Sequence, residues 1–487
     1  MLELNSITAD EYNRAILEVQ NGLKFEQGNN VDTLYSYHTD AALNQVISDF
    51  AKKNNMSIAL AKSYIYSNNL TIYTTQNTNI QKTMEEEVKN SIYVLSSNKR
   101  YGEIAQTATV VIDHKTGFVL GCIGGIGEKT VSMGLNRATQ STRQTGSAMK
   151  PISVVAPALQ EKVITAASIY SDTKSTFTLK TGEKYDPKNY NYYRGNITVR
   201  QALETSQNIP FIRIMQELTT EKSREYIEKM GITTLTKNDN DLSLAIGGLD
   251  RGISPLEMAG AYASIANDGV YIEPTFYTKV VDVDGNVVLE VEQKKTQVLD
   301  KSTAYVLKNL LLQPVKGKQG TARYCAIEGI DVSAKTGTTD SDYDRWLCGF
   351  TPYYTAATWY GYDYNETVKY SGQNPAGLIW AGIMNKIHSG LEPRTFEVPE
   401  GVVTKKVCRT TGKLATSRCW NTYEEVFSED NLPEECKGHY YRRSYNTSSA
   451  STSKNTKTQE QTTPSTTSIT VTDEKTGQST IVQVPNN

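Results

Sequence analysis

Ser147 and Lys150, three residues apart, are placed to make a nucleophile and its base. Gly146 precedes them, and the residues that follow, Ala-Met-Lys-Pro-Ile-Ser-Val-Val, turn quickly apolar. The pattern predicts a helix over 149–165 that enters a core. At the start of such a helix the backbone N–H groups lack internal acceptors, and the positive dipole end favours a developing anion. Lys150 shares the helical face of Ser147 and can reach its hydroxyl. Serine is a poor nucleophile until a neighbour takes its proton, and lysine can do so only when burial and nearby cations lower its own pKa. Pro151 falls early enough that no internal hydrogen bond is lost. Taken alone, the pair also reads as a helix cap beside a surface lysine.

Two other clusters extend this chemistry. Ser206-Gln-Asn208 lies between helical patterns, and Pro210 discourages helix in the residue just before it. On a loop, side chains two apart can point into one cleft, Ser206 to relay a proton to a leaving amine and Asn208 to bind a peptide amide. By itself this cluster also fits a helix cap and a turn asparagine. Lys335-Thr336-Gly337-Thr338 follows an alternating segment that predicts a strand. Gly337 admits close approach of a substrate backbone. Lys335 and the hydroxyls of Thr336 and Thr338 make a cationic end suited to a carboxylate. The Thr338 and Ser147 N–H groups can form an oxyanion hole, and a second lysine helps keep Lys150 neutral. In this order the three motifs are the signature set of penicillin-binding proteins and class A β-lactamases.

The elements that must position these residues follow from periodicity. Strands are predicted at 109–112 and 118–123 around a glycine-containing turn, and again at 332–336, 346–350 and 358–362. Helical patterns occupy 149–165, 197–204, 209–217, 222–230 and 255–267, the last with Ser254 as cap and Pro255 in its first turn, and a final helix covers 376–388. Strands, a helical block, more strands and a last helix predict an α+β domain with helices on an antiparallel sheet. Residues 1–100 read as an auxiliary linker region with helices at 39–54 and 79–91, a strand at 70–75, and the acid run Glu85, Glu86 and Glu87 on a solvated surface. Residues 101–440 form the main domain. Residues 441–487 are rich in Ser and Thr and predict a disordered tail, with 469–472 and 481–484 forming at most a weak hairpin.

Composition excludes other classes. The 487 residues carry 51 Lys+Arg against 53 Asp+Glu, a balance with no long-range field for nucleic acid. No apolar run reaches membrane-spanning length. Gly124, Gly125 and Gly127 lack the context of a phosphate loop. Four histidines at no metal-binding spacing, and cysteines without Cys-x-x-Cys pairs, predict neither metal nor cofactor. Cys122, Cys325 and Cys348 sit in apolar segments as small hydrophobes. Cys408, Cys419 and Cys436 fall in a polar region with little core, where a Cys419–Cys436 disulfide would contribute about 3 kcal/mol.

Further segments extend the likeness beyond the three motifs: Val111-Ile-Asp-His-Lys-Thr-Gly117, Arg143-Gln-Thr-Gly-Ser-Ala-Met-Lys-Pro151, Gly247-Gly248, Gly317-Lys-Gln-Gly-Thr321 and Asp344-Arg-Trp-Leu-Cys-Gly-Phe-Thr-Pro352. With them the chain resembles the C-terminal transpeptidase module of class A, bifunctional penicillin-binding proteins of clostridial-type Gram-positive bacteria, over about residues 1–440. The resemblance implies a bilobed α+β fold with a five-stranded antiparallel sheet and helices on both sides. It implies catalytic Ser147, Lys150 and Ser206, with Asn208, Lys335, Thr336, Gly337 and Thr338 binding substrate. The implied reaction is D,D-transpeptidation of peptidoglycan stem peptides through a Ser147 acyl-enzyme with loss of D-Ala, inhibited covalently by β-lactam antibiotics. Cell-wall synthesis and division proteins are the further partners implied. The alternatives are a carboxypeptidase or β-lactamase using water as acceptor, or an inert penicillin sensor. Because Ser6 to Ala15 resembles the end of a glycosyltransferase domain, the chain is expected to be a soluble fragment. In the intact protein it would lie on the extracytoplasmic face behind an N-terminal membrane helix.

Overall fold

Five strands, mostly buried along their length, build the central sheet. They are β1 (Gln106–Asp113), β2 (Phe118–Ile123), β3 (Ser333–Thr338), β4 (Asp344–Phe350) and β5 (Thr355–Gly361). Their order is β3-β4-β5-β1-β2, with every neighbouring pair antiparallel, so β3 is an edge strand. Successive side chains point to opposite faces. Val110, Ile112, Trp346, Phe350 and Trp359 join one buried cluster, while Val111, Ile123, Ala334, Leu347 and Tyr360 join another. Each cluster is closed by helices. Pro255–Ala266 lies on the first face, and its Ser254 and Glu257 form the reciprocal cap that satisfies the opening N–H groups. Pro375–His388 lies on the second, with Ile379, Trp380, Ile383 and Met384 buried. The α+β architecture with a five-stranded antiparallel sheet is therefore present as expected.

The computed structural model describes residues 8–20, 34–95, 102–439, 466–472 and 479–485. Most predicted elements lie within a few residues of their places, including helices Tyr37–Lys53, Ile209–Leu218 and Thr220–Lys229. One expectation changes. Glu87 is not solvated surface: it is buried, accepts a hydrogen bond from Tyr93 Oη at 2.5 Å, and pairs with Lys386 Nζ at 2.5 Å. The helix Thr78–Glu87 turns this one acid of the run toward Pro375–His388, where a cation meets it. The N-terminal region packs against elements of the main domain. Strand Thr71–Thr74 pairs with Tyr277–Val281, which pairs with Val287–Glu290, and Val46, Ile47 and Phe50 share a cluster with Tyr277, Val280 and Leu289. Thr466–Thr472 and Ser479–Pro485 pair antiparallel in a hairpin that includes the 469–472 and 481–484 runs. Residues 440–465 lie outside the described residues, as do the first residues of the segment 6–15.

A further hairpin, β6 (Val402–Cys408) and β7 (Thr422–Ser428), follows the last long helix. Its own apolar cluster is small: Ala167, Val407 and Phe427 are buried, with Val403, Leu414 and Tyr423 partly so. The cysteines of the expected Cys419–Cys436 disulfide lie together beside this hairpin. Cys408, brought to the same place by the end of β6, stands beside the other two. The distance along the chain hid that third sulfur.

Candidate active site

Ser147 sits in a single turn of tight helix, Gly146–Met149, and the helical backbone continues through a wider π-type segment, Pro151–Val155, into Ala156–Gln160. The expected helix is thus present, with a change of pitch where Pro151 brings no N–H to the ladder. The preceding strap is fixed by reciprocal backbone hydrogen bonds between Arg143 and Ile253 and by Arg143 Nε on Asp344 Oδ1 at 2.7 Å. Tyr262 Oη holds the Ala148 carbonyl at 2.7 Å.

Lys150 is fully buried, and its Nζ lies 2.9 Å from Ser147 Oγ, 2.8 Å from the Ser206 carbonyl and 2.6 Å from Asn208 Oδ1. Burial first, and the nearby Lys335 second, pull the Lys150 pKa well below that of an ordinary lysine, against a smaller opposing pull from Asp172. The hydrogen-bond inventory then fixes the direction of proton transfer. The Ser206 carbonyl can only accept, and so can Asn208 Oδ1, because its amide is oriented by Nδ2 donating to the Lys188 carbonyl at 2.6 Å. A neutral amine has two hydrogens for these two acceptors, and its lone pair remains for the Ser147 hydroxyl. That is the arrangement a general base requires.

Ser206 touches both lysines. Its carbonyl faces Lys150, and its Oγ accepts from Lys335 Nζ at 2.7 Å. A left-handed φ of 58° lets the residue present both groups inward between Val199–Glu204 and Ile209–Leu218. Lys335 is also fully buried, and burial lowers its pKa to about 7. Its second hydrogen bond goes to the Thr336 carbonyl at 2.9 Å, leaving a protonated Lys335 one donor for a ligand. Thr336 Oγ1 is 2.9 Å from Thr321 Oγ1.

Two glycines bring β3 against the serine turn. A Cβ on Gly146 would stand 2.4 Å from the Thr338 carbonyl oxygen, and one on Gly337 would stand 2.4 Å from that of Thr145. Gly146 also has a positive φ of 51°. Ser147 and Thr338 therefore lie on backbones in direct contact, beside the open edge of the sheet.

The predicted residues Ser147, Lys150, Ser206, Asn208, Lys335, Thr336, Gly337 and Thr338 all converge. Asn208 differs in its local task, since its side chain is engaged with Lys150 and Lys188. Periodicity and motif spacing missed Asp172 and Asn189: Asn189 Nδ2 donates to buried Asp172 Oδ1 at 2.8 Å, and its Oδ1 accepts the Asn208 N–H at 2.8 Å. No local pattern marks them. Thr321 was signalled only as part of the Gly317–Thr321 segment.

A buried lysine facing a serine, a second lysine at an edge strand and a sheet flanked by helices define an active-site serine acyl-transfer fold. Residues 107–385 match the family described as the penicillin binding protein transpeptidase domain, and residues 398–441 match the penicillin-binding protein 1A C-terminal domain. The chain belongs to the penicillin-binding protein transpeptidase family. It is 34% identical over 459 residues to penicillin-binding protein 1A of Clostridium tetani, covering 89% of this chain and 58% of that protein. Penicillin-binding protein 1A of Clostridium botulinum (strain Hall) is 32% identical over 453 residues, covering 89% and 54%. The chain thus spans little more than half the length of these curated relatives. The crystal structure of penicillin-binding protein 1A from Haemophilus influenzae shares the fold, with a TM-score of 0.68, 21% identity, and 89% and 81% of the two chains covered. No helix among the described residues is long and apolar enough to cross a membrane.

Proposed function

We propose that this chain is a serine-type D,D-transpeptidase that cross-links peptidoglycan stem peptides. The observation that carries the reading is Lys150 Nζ at 2.9 Å from Ser147 Oγ, with two fixed acceptors taking its hydrogens. Ser147 Oγ attacks the carbonyl of the penultimate D-Ala while its proton passes to Lys150 Nζ. The developing oxyanion meets the N–H groups of Ser147 and Thr338, a contribution of about 3 kcal/mol for each such donor in acyl transfer. Collapse breaks the peptide bond, and terminal D-Ala leaves as an amine carrying a proton relayed through Ser206. An acceptor amine then attacks the Ser147 ester, forms the cross-linking amide and restores the serine.

The donor peptide lies along β3, where an extended backbone finds an open sheet edge and Gly337 offers no side chain in its way. Its terminal carboxylate takes the remaining donor of Lys335 and the hydroxyls of Thr336 and Thr338. A β-lactam enters by the same route and leaves an ester on Ser147. In the cell this chemistry belongs on the extracytoplasmic face of the membrane, beside other cell-wall synthesis and division proteins.

The test supplies a synthetic stem peptide ending in D-Ala-D-Ala, with and without an acceptor amine. Release of D-Ala together with an acceptor-linked product is expected. Free D-Ala with only hydrolysed donor, even at saturating acceptor, would make the chain a carboxypeptidase instead.

A further inference from the structure

We propose that Cys408, Cys419 and Cys436, completed by His439, bind a structural zinc ion that pins the β6–β7 hairpin. The three sulfur atoms lie within 4.8 Å of one another. A tetrahedral zinc with Zn–S bonds of about 2.3 Å places its sulfurs roughly 3.8 Å apart, so closure needs only small side-chain adjustments. The fourth ligand follows from the chain itself: Cys436-Lys-Gly-His439 spaces a thiol and an imidazole by two residues. All four residues fall within the segment 398–441 that matches one family model.

Each sulfur is delivered by a separately anchored piece of backbone. Cys408 ends β6, and its carbonyl accepts from the Thr411 and Gly412 N–H groups at 3.2 and 2.8 Å, which folds the chain into a tight turn. Cys419 closes the next turn, with its N–H on the Thr416 carbonyl at 3.0 Å. Cys436 returns alongside, its N–H on the Leu414 carbonyl at 2.8 Å. Hydroxyls surround the sulfurs: Thr411 Oγ1 donates to Cys436 Sγ at 3.4 Å, and Thr416 Oγ1 is 3.8 Å from Cys419 Sγ. Such outer donors orient thiolate ligands and stabilise their charge.

The need for a crosslink is plain from the apolar cluster, in which only Ala167, Val407 and Phe427 are buried. So small a core holds an irregular hairpin poorly without a staple. A disulfide would satisfy that need with two cysteines and strand the third, whereas a tetrahedral cation uses three sulfurs and one imidazole nitrogen. On binding, up to three thiols release their protons and the ion takes three thiolates and a neutral imidazole.

The test uses the full chain purified without reductant or added metal. Elemental analysis is expected to find one zinc per chain, and alkylation under denaturing conditions with chelator should modify all six cysteines. Trypsin should leave the hairpin intact at Lys405, Lys406, Arg409 and Lys413 until 1,10-phenanthroline removes the ion, and added zinc should restore protection. Cys419→Ser, at the most exposed of the three sulfurs, should bind zinc at least tenfold more weakly. Absence of zinc with two cysteines refractory to alkylation would overturn the proposal in favour of a disulfide. So would undiminished zinc in Cys419→Ser, or protection that survives complete removal of the ion from the wild-type chain.

Discussion

The lysine cleft and the β6–β7 hairpin hold polar groups together by opposite means. In the cleft, two lysines are fully buried and each has hydrogen-bond acceptors, because the sheet and its helices form a large core that fixes every partner before the charges are placed. Desolvating such groups is costly, and the cost appears as depressed lysine pKa values, which the chemistry needs. The hairpin has almost no core. It is held from outside, by buried Glu425 accepting from Arg200 Nε at 2.7 Å, and three cysteine sulfurs gather beside it. Strain and buried charge are tolerated where packing is abundant, and where it is scarce an ion pair with a neighbouring helix takes a larger share.

Breaking the cleft should produce the larger effects on acylation. Ser147→Ala should abolish penicillin labelling altogether, read by the mass of the intact chain and of the tryptic peptide containing residue 147. Undiminished labelling would place the nucleophile elsewhere. Lys150→Arg keeps a charge but cannot lose a proton, so the acylation rate should fall about 10² to 10⁴-fold, the usual contribution of a positioned base. Trypsin resistance of the hairpin should not change in that variant, which separates the two regions.

Lys335→Ala should cost about tenfold to hundredfold in acylation by a carboxylate-bearing ligand, through loss of a charge-assisted bond of about 1.5 to 3 kcal/mol. A ligand with its carboxylate esterified should lose much less at high pH. Removing this cation also lets the Lys150 pKa rise, so the acid limb of the pH-rate profile should move upward, measured by stopped-flow acylation over a pH series. An equal penalty for the ester would assign Lys335 another task.

Arg200→Ala leaves Glu425 buried without its cation, a loss of about 3 to 5 kcal/mol by analogy with other broken buried pairs. The hairpin should become sensitive to trypsin while penicillin labelling of Ser147 persists. Loss of labelling in parallel would mean that the two regions are mechanically one.

The smallest expected effect is on stability. Lys335 titrates at about 7 when folded against 10.5 for an ordinary lysine, so between those values the unfolded chain binds more protons. Stability should therefore rise with pH across that window, by at most about 1.4 kcal/mol per pH unit for this group, and fall as pH drops toward 7. Denaturant midpoints at pH 7.5 and 9 should show a smaller rise in Lys335→Met than in the wild type.

Much of this was legible in order along the chain. Ser147 and Lys150 lie one helical turn apart, and Ser206 and Asn208 two residues apart, so local geometry already limits where each pair can point. The strand carrying Lys335 showed in its alternation, and the helix Pro255–Ala266 in its cap and proline. Signals failed where partners are distant. Nothing near Glu87 announces Lys386, and nothing near Asp172 announces Asn208 behind Asn189. The Cys419–Cys436 pairing was drawn from two residues because Cys408 is close only after β6 and β7 have paired.

By itself the sequence determined which groups could react and the helices and strands that carry them, because spacing, periodicity and caps act over a few residues. Tertiary structure decided their state. Whether Lys150 is a base or a surface cation depends on its burial, on Lys335 arriving from a strand 185 positions later by their numbers, and on two acceptors fixed by a left-handed Ser206 and an oriented Asn208. Solvation and charge proximity are properties of the assembled core, and no local stretch of chain contains them.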